Sequence, residues 1–106
     1  MIIGIAGPYS ASTEEQRNRN FDAMNIAAAN VYRKGHIPFI GVNMALPIVA
    51  KGVVQDPYEA VMQISLAVID KCDAILMIGE SKGANREKDL IVSKGLPVYY
   101  SIDEIP

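Results

Sequence analysis

The sequence is poor in the residues that cross-link a protein or hold a metal, with one cysteine and one histidine among 106 residues. A lone cysteine, Cys72, can form neither an intrachain disulfide nor a zinc site built from several cysteines. With His36 as the single histidine, the chain also lacks the side chains that a soft-metal site requires. We therefore expect no protein-built metal site.

Long apolar runs and blocks of like charge are also missing. No run approaches the roughly 20 apolar residues that a membrane-spanning helix needs, and the first ten residues, MIIGIAGPYS, lack the basic segment of a signal peptide. The net charge of −2 includes no basic stripe, which argues against nucleic acid or an acidic membrane as partner. We expect a cytoplasmic protein that binds neither.

What is present is the composition of an ordinary globular domain. Half of the residues are apolar and 21% are charged, and a chain of this length can build one modest core. No internal repeat, low-complexity tract or linker divides it. We therefore predict that residues 1–106 form a single domain.

Short apolar runs and helical segments alternate along the chain. One helix is predicted to start at Ser12, with Glu15 completing a capping box, and another starts at Asp56-Pro57. Gly35 and Gly95 are placed to end the first and the last helix. The last helix is expected over about residues 84–94, whereas residues 41–54 show no clear pattern. The runs with the character of buried strands are residues 1–6, 37–40, 74–78 and 96–100.

This alternation predicts a parallel sheet covered by helices. With right-handed crossovers, the result is a small doubly wound α/β fold of the flavodoxin or Rossmann kind, with four or five strands and helices on both faces. In such sheets, ligands bind outside the carboxyl ends of the strands. Those ends are the predicted loops of residues 7–12, 41–47 and 79–87 and the tail from Ser101.

Glu87 has two interpretations. It lies at the predicted start of a helix, among Lys82, Arg86 and Lys88, where the helix dipole and the cations favour an ionised carboxylate. Such a carboxylate can attack an anomeric carbon and form a glycosyl-enzyme intermediate. Alternatively, Glu87 only complements the helix dipole, which is the commoner role of an acidic residue in a first turn.

Gly7-Pro8-Tyr9-Ser10 leaves the first strand at the same edge of the predicted sheet. The phenol of Tyr9 can hydrogen-bond to Glu87 or to a ligand hydroxyl. Ser10 and Ser12 can hold a phosphate or sugar oxygen, or they can form a turn followed by a helix cap. For Ser12 we favour the cap.

Other polar residues give less indication of function. Asn43 follows the second strand and either caps its own backbone or recognises a base. Asp73 and His36 fall at the opposite edge of the sheet, so we interpret both as structural and expect no Ser-His-Asp triad. The loop GPYSAS is not a dinucleotide fingerprint, and SKGANRE lacks the Gly-Lys-Ser/Thr of a triphosphate-binding loop. Neither a redox enzyme nor a kinase is indicated.

Several segments occur in a recognisable order over nearly the whole chain. They are Ile5-Ala6-Gly7-Pro8-Tyr9-Ser10, Gly35-His36-Ile37-Pro38, Cys72-Asp73-Ala74-Ile75-Leu76, Ser81-x-Gly83-Ala84-x-x-Glu87 and Gly95-Leu96-Pro97-Val98. In this combination the chain resembles the nucleoside 2-deoxyribosyltransferase superfamily, especially its short members. It is similar also to the nucleoside 5'-monophosphate N-glycosidases of that group.

The resemblance implies an N-glycosidase or deoxyribosyltransferase that acts on a small nucleoside or nucleoside 5'-monophosphate through a covalent glycosyl-glutamate intermediate. Glu87 matches the nucleophile of the family, and Tyr9 matches the aromatic residue that orients it. The resemblance also implies no metal or organic cofactor, and a homodimer or larger homo-oligomer in which a neighbouring subunit completes each pocket. The predicted substrate-binding residues are Gly7, Pro8, Ser10, Asn43, Ser81, Gly83 and Ala84.

Ser65 departs from the family's pattern. Catalytic members carry an acidic residue in the helix before the third strand, and that residue helps to protonate the leaving base. A serine is a poor general acid, so loss of the base needs another proton donor or an activated substrate. The alternative function is therefore a catalytically inactive nucleotide-binding or sensing module of the same fold.

Overall fold

Four parallel strands in the order β2-β1-β3-β4 form the centre of the computed structural model, which describes residues 1–106. The strands are β1 (Ile2–Ala6), β2 (Ile37–Phe39), β3 (Ala74–Met77) and β4 (Val98–Tyr99). The helices are α1 (Glu14–Arg33), α2 (Gly41–Val49), α3 (Pro57–Ile69) and α4 (Lys82–Ser93), and a 3-10 helix follows at Ile102–Glu104. The predicted α/β class and parallel sheet are confirmed, with four strands.

Alternate side chains of the central strands supply two separate cores. Ile3 and Ile5 of β1 point towards α1 and pack in a cluster with Met24 and Val31. On the other face, Ile75 of β3 packs in a cluster that includes residues of α3 and α4. Because successive side chains of a strand point to opposite faces, the almost uninterrupted apolar runs fit a sheet with helices on both sides.

The strand order places a switch point between β1 and β3. The chain leaves β1 through α1 to reach β2 on one side, whereas β3 pairs with β1 on the other side, with Ala6 opposite Met77. The loops that leave these two strands therefore diverge at the carboxyl edge. In open α/β sheets this divergence creates the crevice in which ligands bind.

Two helix ends agree with the prediction, whereas the start of α1 does not. Gly35 and Gly95 adopt positive φ angles of 91° and 71° directly after helices, a conformation that glycine tolerates best. The cap of α1 is Thr13 rather than Ser12, because Thr13 Oγ1 accepts a hydrogen bond from the Gln16 N–H at 3.1 Å. Glu15 is then only the second helical residue and is not placed for a capping box.

Helix α2 occupies part of the segment that showed no clear pattern, so the expected loop over residues 41–47 is wrong. Its nine residues include no charged side chain, so no polar face marks the helical period. Pro47 lies inside the helix, where it removes a backbone donor, and the helix ends two residues later. The helix packs mainly on α3. None of the helices combines the length and the apolar character that crossing a bilayer demands.

Candidate functional site

A cavity of about 510 Å³ lies at the carboxyl ends of β1 and β3. The loop after β1 forms one wall, and the start of α4 forms another. Helices α2 and α3 supply a largely apolar third wall. The cavity thus coincides with the switch point of the sheet, where the topology favours a ligand site. Its volume is within the range of about 300–1,000 Å³ that is usual for small-molecule pockets.

Glu87 lines this cavity but is only 5% exposed. Burial raises the pKa of its carboxyl from 4.5 to about 7, and the nearby Ser65 hydroxyl offsets part of that increase. The carboxyl is therefore close to half-ionised at neutral pH. A buried acid whose pKa lies near the working pH is typical of functional sites.

The expectation that the helix dipole and nearby cations favour the ionised form of Glu87 is wrong, because the pKa of its carboxyl is raised rather than lowered. Helix α4 begins at Lys82, two residues earlier than predicted, so Glu87 lies in its second turn, beyond the turn where the dipole acts strongly. Two of the three cations face elsewhere: Lys82 Nζ lies 5.2 Å from the ring centre of Tyr58, and the Arg86 guanidinium carbon lies 6.0 Å from it. Desolvation therefore outweighs the favourable charges.

Ser65 is fully buried in α3, next to Glu87. These are the two residues with polar or charged side chains in the buried interior. No hydrogen bond of ordinary geometry reaches Ser65 Oγ, which is uncommon because buried hydroxyls usually have a partner.

Gly41, at the start of α2, closes the space above Ser65. A Cβ atom at position 41 would overlap Ser65 Oγ and lie 2.8 Å from both Ser65 Cα and Ser65 Cβ. The lack of a side chain at Gly41 therefore permits the close approach of α2 to α3. The same contact leaves little room for a side chain longer than serine at position 65.

The start of α4 presents hydrogen-bond donors to the cavity. Ser81 caps the helix, because its Oγ accepts a hydrogen bond from the Ala84 N–H at 3.0 Å. The hydroxyl proton of Ser81 is not used by this bond. The N–H groups of Lys82 and Gly83 have no acceptor within the chain, as expected for the first residues of a helix. All four residues line the cavity.

Tyr9 lines the same cavity as Glu87. Its ring packs edge-to-face against Phe21 with a centroid distance of 6.4 Å, and its carbonyl oxygen accepts a hydrogen bond from Asn20 Nδ2 at 3.0 Å. These contacts with α1 fix the position of the loop. No hydrogen bond joins the phenol of Tyr9 to Glu87, so the two groups share a cavity without direct polar contact.

Two residues of the predicted substrate-binding set lie outside this cavity. Pro8 packs on the loop after β3, where its Cδ atom is 2.9 Å from the position of a Cβ at Gly79. Asn43 donates from Nδ2 to Asn25 Oδ1 at 3.3 Å and lines a separate cleft of about 360 Å³. Helix α2 directs Asn43 towards α1. The other predicted residues line the main cavity: Gly7, Ser10, Ser81, Gly83 and Ala84.

Sequence reasoning missed the apolar wall of the cavity. These side chains come from α2 and α3, and their spacing of three to four residues is the helical signal that could have revealed them. Recognition of α2 as a helix was the necessary step, since one end of the wall depends on it. The chief members of the wall are Val42, Leu46, Val49, Val61 and Met62.

The chain contains no group of three or more histidine, cysteine, aspartate or glutamate side chains arranged to hold a metal ion. Within the cavity itself, Glu87 is the sole carboxylate. The chemistry of the cavity therefore depends on the Glu87 carboxyl, the phenols of Tyr9 and Tyr58, the Lys82 amine and the hydrogen-bond donors at the start of α4. This set can bind an anionic or hydroxylated ligand and can supply one nucleophile or one proton carrier.

Comparison with known proteins shows the family of the chain. A search of curated proteins found no match. The model of a family described as "Domain of unknown function (DUF4406)" matches residues 1–100. Because this match covers nearly the whole chain, the protein belongs to the DUF4406 family.

Proposed function

We propose that the protein is an N-glycosidase or deoxyribosyltransferase that acts on a small nucleoside or nucleoside 5'-monophosphate. The observation that carries the proposal is that Glu87 and Tyr9 line one cavity at the switch point of the sheet. The ordered motifs that resemble the nucleoside 2-deoxyribosyltransferase superfamily give the reaction class. The cavity is large enough for a nucleoside-sized ligand.

In the proposed reaction, the ionised carboxylate of Glu87 attacks the anomeric carbon of the sugar. The bond from that carbon to the base nitrogen breaks, and its electron pair leaves with the base, which takes a proton from solvent in the open cavity. Water or a second base then attacks the anomeric carbon and releases Glu87 as a carboxylate. Because attack requires the ionised form, activity is expected to rise with pH through the pKa of about 7.

The remaining walls fit the two ends of such a substrate. The hydroxyl of Ser81 and the free N–H groups of Lys82 and Gly83 can donate to sugar or phosphate oxygens. The apolar side chains of α2 and α3 form the wall against which a planar base can pack. Tyr9 is the orienting group beside the nucleophile. This chemistry requires neither a metal nor an organic cofactor.

The test is release of free base from a panel of deoxynucleosides and their 5'-monophosphates, measured by chromatography. Glu87→Gln should lower turnover on the order of 10³-fold while binding persists, since the substitution removes the nucleophile and keeps the shape. Glu80→Gln, an exposed residue on the adjoining loop, is the matched control and should keep wild-type activity. Wild-type turnover by Glu87→Gln on a verified substrate would show that Glu87 is not the nucleophile.

A second candidate function is a nucleotide-binding or sensing module without catalysis. The observation in its favour is that one carboxylate lines the cavity, whereas glycosidases usually employ two. Ser65 occupies the position where the resemblance expects the second acid. A rise in melting temperature with nucleotides, without base release from any member of the panel, would favour this module over the enzyme.

We also propose that the protein acts as a homodimer or larger homo-oligomer in the cytoplasm, without nucleic acid or membrane as partner. The surface of α2 supports self-association, because the helix has no charged residue and exposes Met44 and Ile48. Large apolar side chains exposed together often mark an interface. Light scattering should give a mass above that of one chain, and Ile48→Glu should reduce it. A monomer at micromolar concentration would contradict this assignment.

A further inference from the structure

Helices α3 and α4 lie side by side. Their facing residues recur once per helical turn, so the contact has successive levels along the two helices. A Cβ atom at Gly83 would lie 3.0 Å from Met62 Sδ, which fixes the lowest level of the contact. One turn further along each helix the facing residues are polar, and two turns further they belong to one buried apolar cluster. At the three levels Met62 faces Gly83, Ser65 lies near Glu87, and Ile69 and Ile91 belong to one buried cluster.

The middle level of this contact is unusual because it is polar on both sides. Ser65 and Glu87 are the two polar residues of the buried interior, with Met62 on one side of their level and Ile69 and Ile91 on the other. Ser65 Oγ has no hydrogen-bond partner in the chain. Because Gly41 closes tightly over it, the hydroxyl cannot turn towards solvent. Glu87 is the other polar side chain of the buried interior, and its carboxyl is close enough for the Ser65 hydroxyl to lower its pKa.

We infer that Ser65 is a positioning residue for Glu87: its hydroxyl donates a hydrogen bond to the ionised Glu87 carboxylate and holds it towards the cavity. This inference rests on the proposed role of Glu87 as nucleophile. In this role, a serine at position 65 is better suited than an acidic residue. A second carboxylate here would repel the charge on Glu87, whereas a hydroxyl supplies a donor without adding charge.

Four titratable groups around Glu87, namely Cys72, Lys82, Arg86 and Tyr9, do not take this role. The thiol of Cys72 is neutral, since burial and the charges of Asp73 and Glu87 raise its pKa to about 11. The Lys82 and Arg86 side chains lie over the Tyr58 ring, and Tyr9 forms no hydrogen bond to Glu87. The direction of the Ser65 effect agrees: its hydroxyl lowers the Glu87 pKa against the effect of burial.

The experiment is a carbon-13 NMR titration of the glutamate side-chain carboxyls in the wild type, Ser65→Ala and Ser65→Cys. The Glu87 signal is the one that disappears in Glu87→Gln. Loss of the donor in Ser65→Ala should raise the Glu87 midpoint by about 1 on the pH scale. Ser65→Cys fills the same space with a slightly larger side chain that has only a weak S–H donor, so its midpoint should also rise. Ser93→Ala, an exposed serine of α4, should leave the midpoint unchanged.

The titration needs no turnover, so its outcome is separate from that of the proposed function. An unchanged midpoint in Ser65→Ala overturns the positioning role even if the protein releases base. A wild-type midpoint in Ser65→Cys alone also overturns it, because volume rather than the donor would then be responsible. A raised midpoint in both variants supports the inference, and a protein that nevertheless releases no base contradicts the proposed function only. If turnover is found, its pH–rate profile in Ser65→Ala should move to higher pH with the titration midpoint.

Discussion

Replacing Glu87 by glutamine should make the protein more stable above neutral pH. The carboxyl is 5% exposed, and burial raises its pKa from 4.5 to about 7. The folded protein therefore holds the Glu87 proton to a higher pH than the unfolded chain does. Between these two pKa values the folded state binds more protons, so stability is lost as the pH rises through this range. Glutamine has nearly the same shape and cannot ionise.

The size of the effect follows from the two pKa values. Their difference corresponds to a loss of about 3 kcal/mol in the free energy of unfolding once the carboxyl is fully ionised. Most of this loss is absent near pH 5, where the folded-state carboxyl is protonated, and it is complete near pH 8. An effect of this size is a large part of the about 5–15 kcal/mol that stabilises a typical domain. A stability cost at a functional carboxylate is a common consequence of burying it for reaction.

Urea unfolding followed by circular dichroism measures the effect directly. The free energy of unfolding of Glu87→Gln should exceed that of the wild type by about 3 kcal/mol at pH 8 and by less than about 1 kcal/mol at pH 5. Glu80→Gln, at an exposed position, should follow the wild type at both pH values. If the wild type and Glu87→Gln show the same pH dependence, Glu87 does not have a raised pKa and the argument from burial is refuted.

Three further predictions concern the surroundings of the site. Gly41→Ala should reduce the free energy of unfolding by about 2 kcal/mol, because the new methyl group would overlap Ser65. A stable single variant would mean that α2 can move away from α3. Ser81→Ala should lower the free energy of unfolding by about 1 kcal/mol because the helix cap is lost, whereas Ser81→Asp should lower it little. Equal urea midpoints for the two variants would contradict the capping role. Burial raises the pKa of the Cys72 thiol from 9.0 to about 11. At pH 8 this thiol should therefore react with a thiol reagent at least about 100-fold more slowly in the folded protein than in the urea-unfolded protein. Fast labelling of the folded protein would show that Cys72 is not buried.

The fold could be predicted because its strands and most of its helix ends have local signals. The run at Ala74–Met77 is buried throughout, and Asp56 caps α3 by accepting a hydrogen bond from the Glu59 N–H at 3.1 Å, as the Asp-Pro pair indicated. Helix α2 has the apolar spacing of a helix but neither a charged face nor a capping side chain to mark its start. Ser12 and Thr13 are equally suited to cap a helix, so only the backbone geometry distinguishes them.

The site was only partly predictable for a different reason. Strand ends and topology are enough to bring the loop of Tyr9 and the helix of Glu87 to one edge of the sheet. The pKa of Glu87 depends instead on burial between two helices, which no short segment of sequence reveals. The same holds for the closure of Gly41 over Ser65, a contact between residues far apart in the chain. Asn43 is directed towards α1 by helix α2, which has no charged residue and no capping side chain to indicate its start.

Mass spectrometry of the protein after acid quenching during turnover tests the central claim most directly. With a verified deoxynucleoside or deoxynucleotide substrate, the wild type should carry one sugar adduct, and peptide mapping should locate it at Glu87. Glu87→Gln should carry none under the same conditions. An adduct on another residue, or base release by Glu87→Gln at the wild-type rate, would contradict the assignment of Glu87 as the nucleophile.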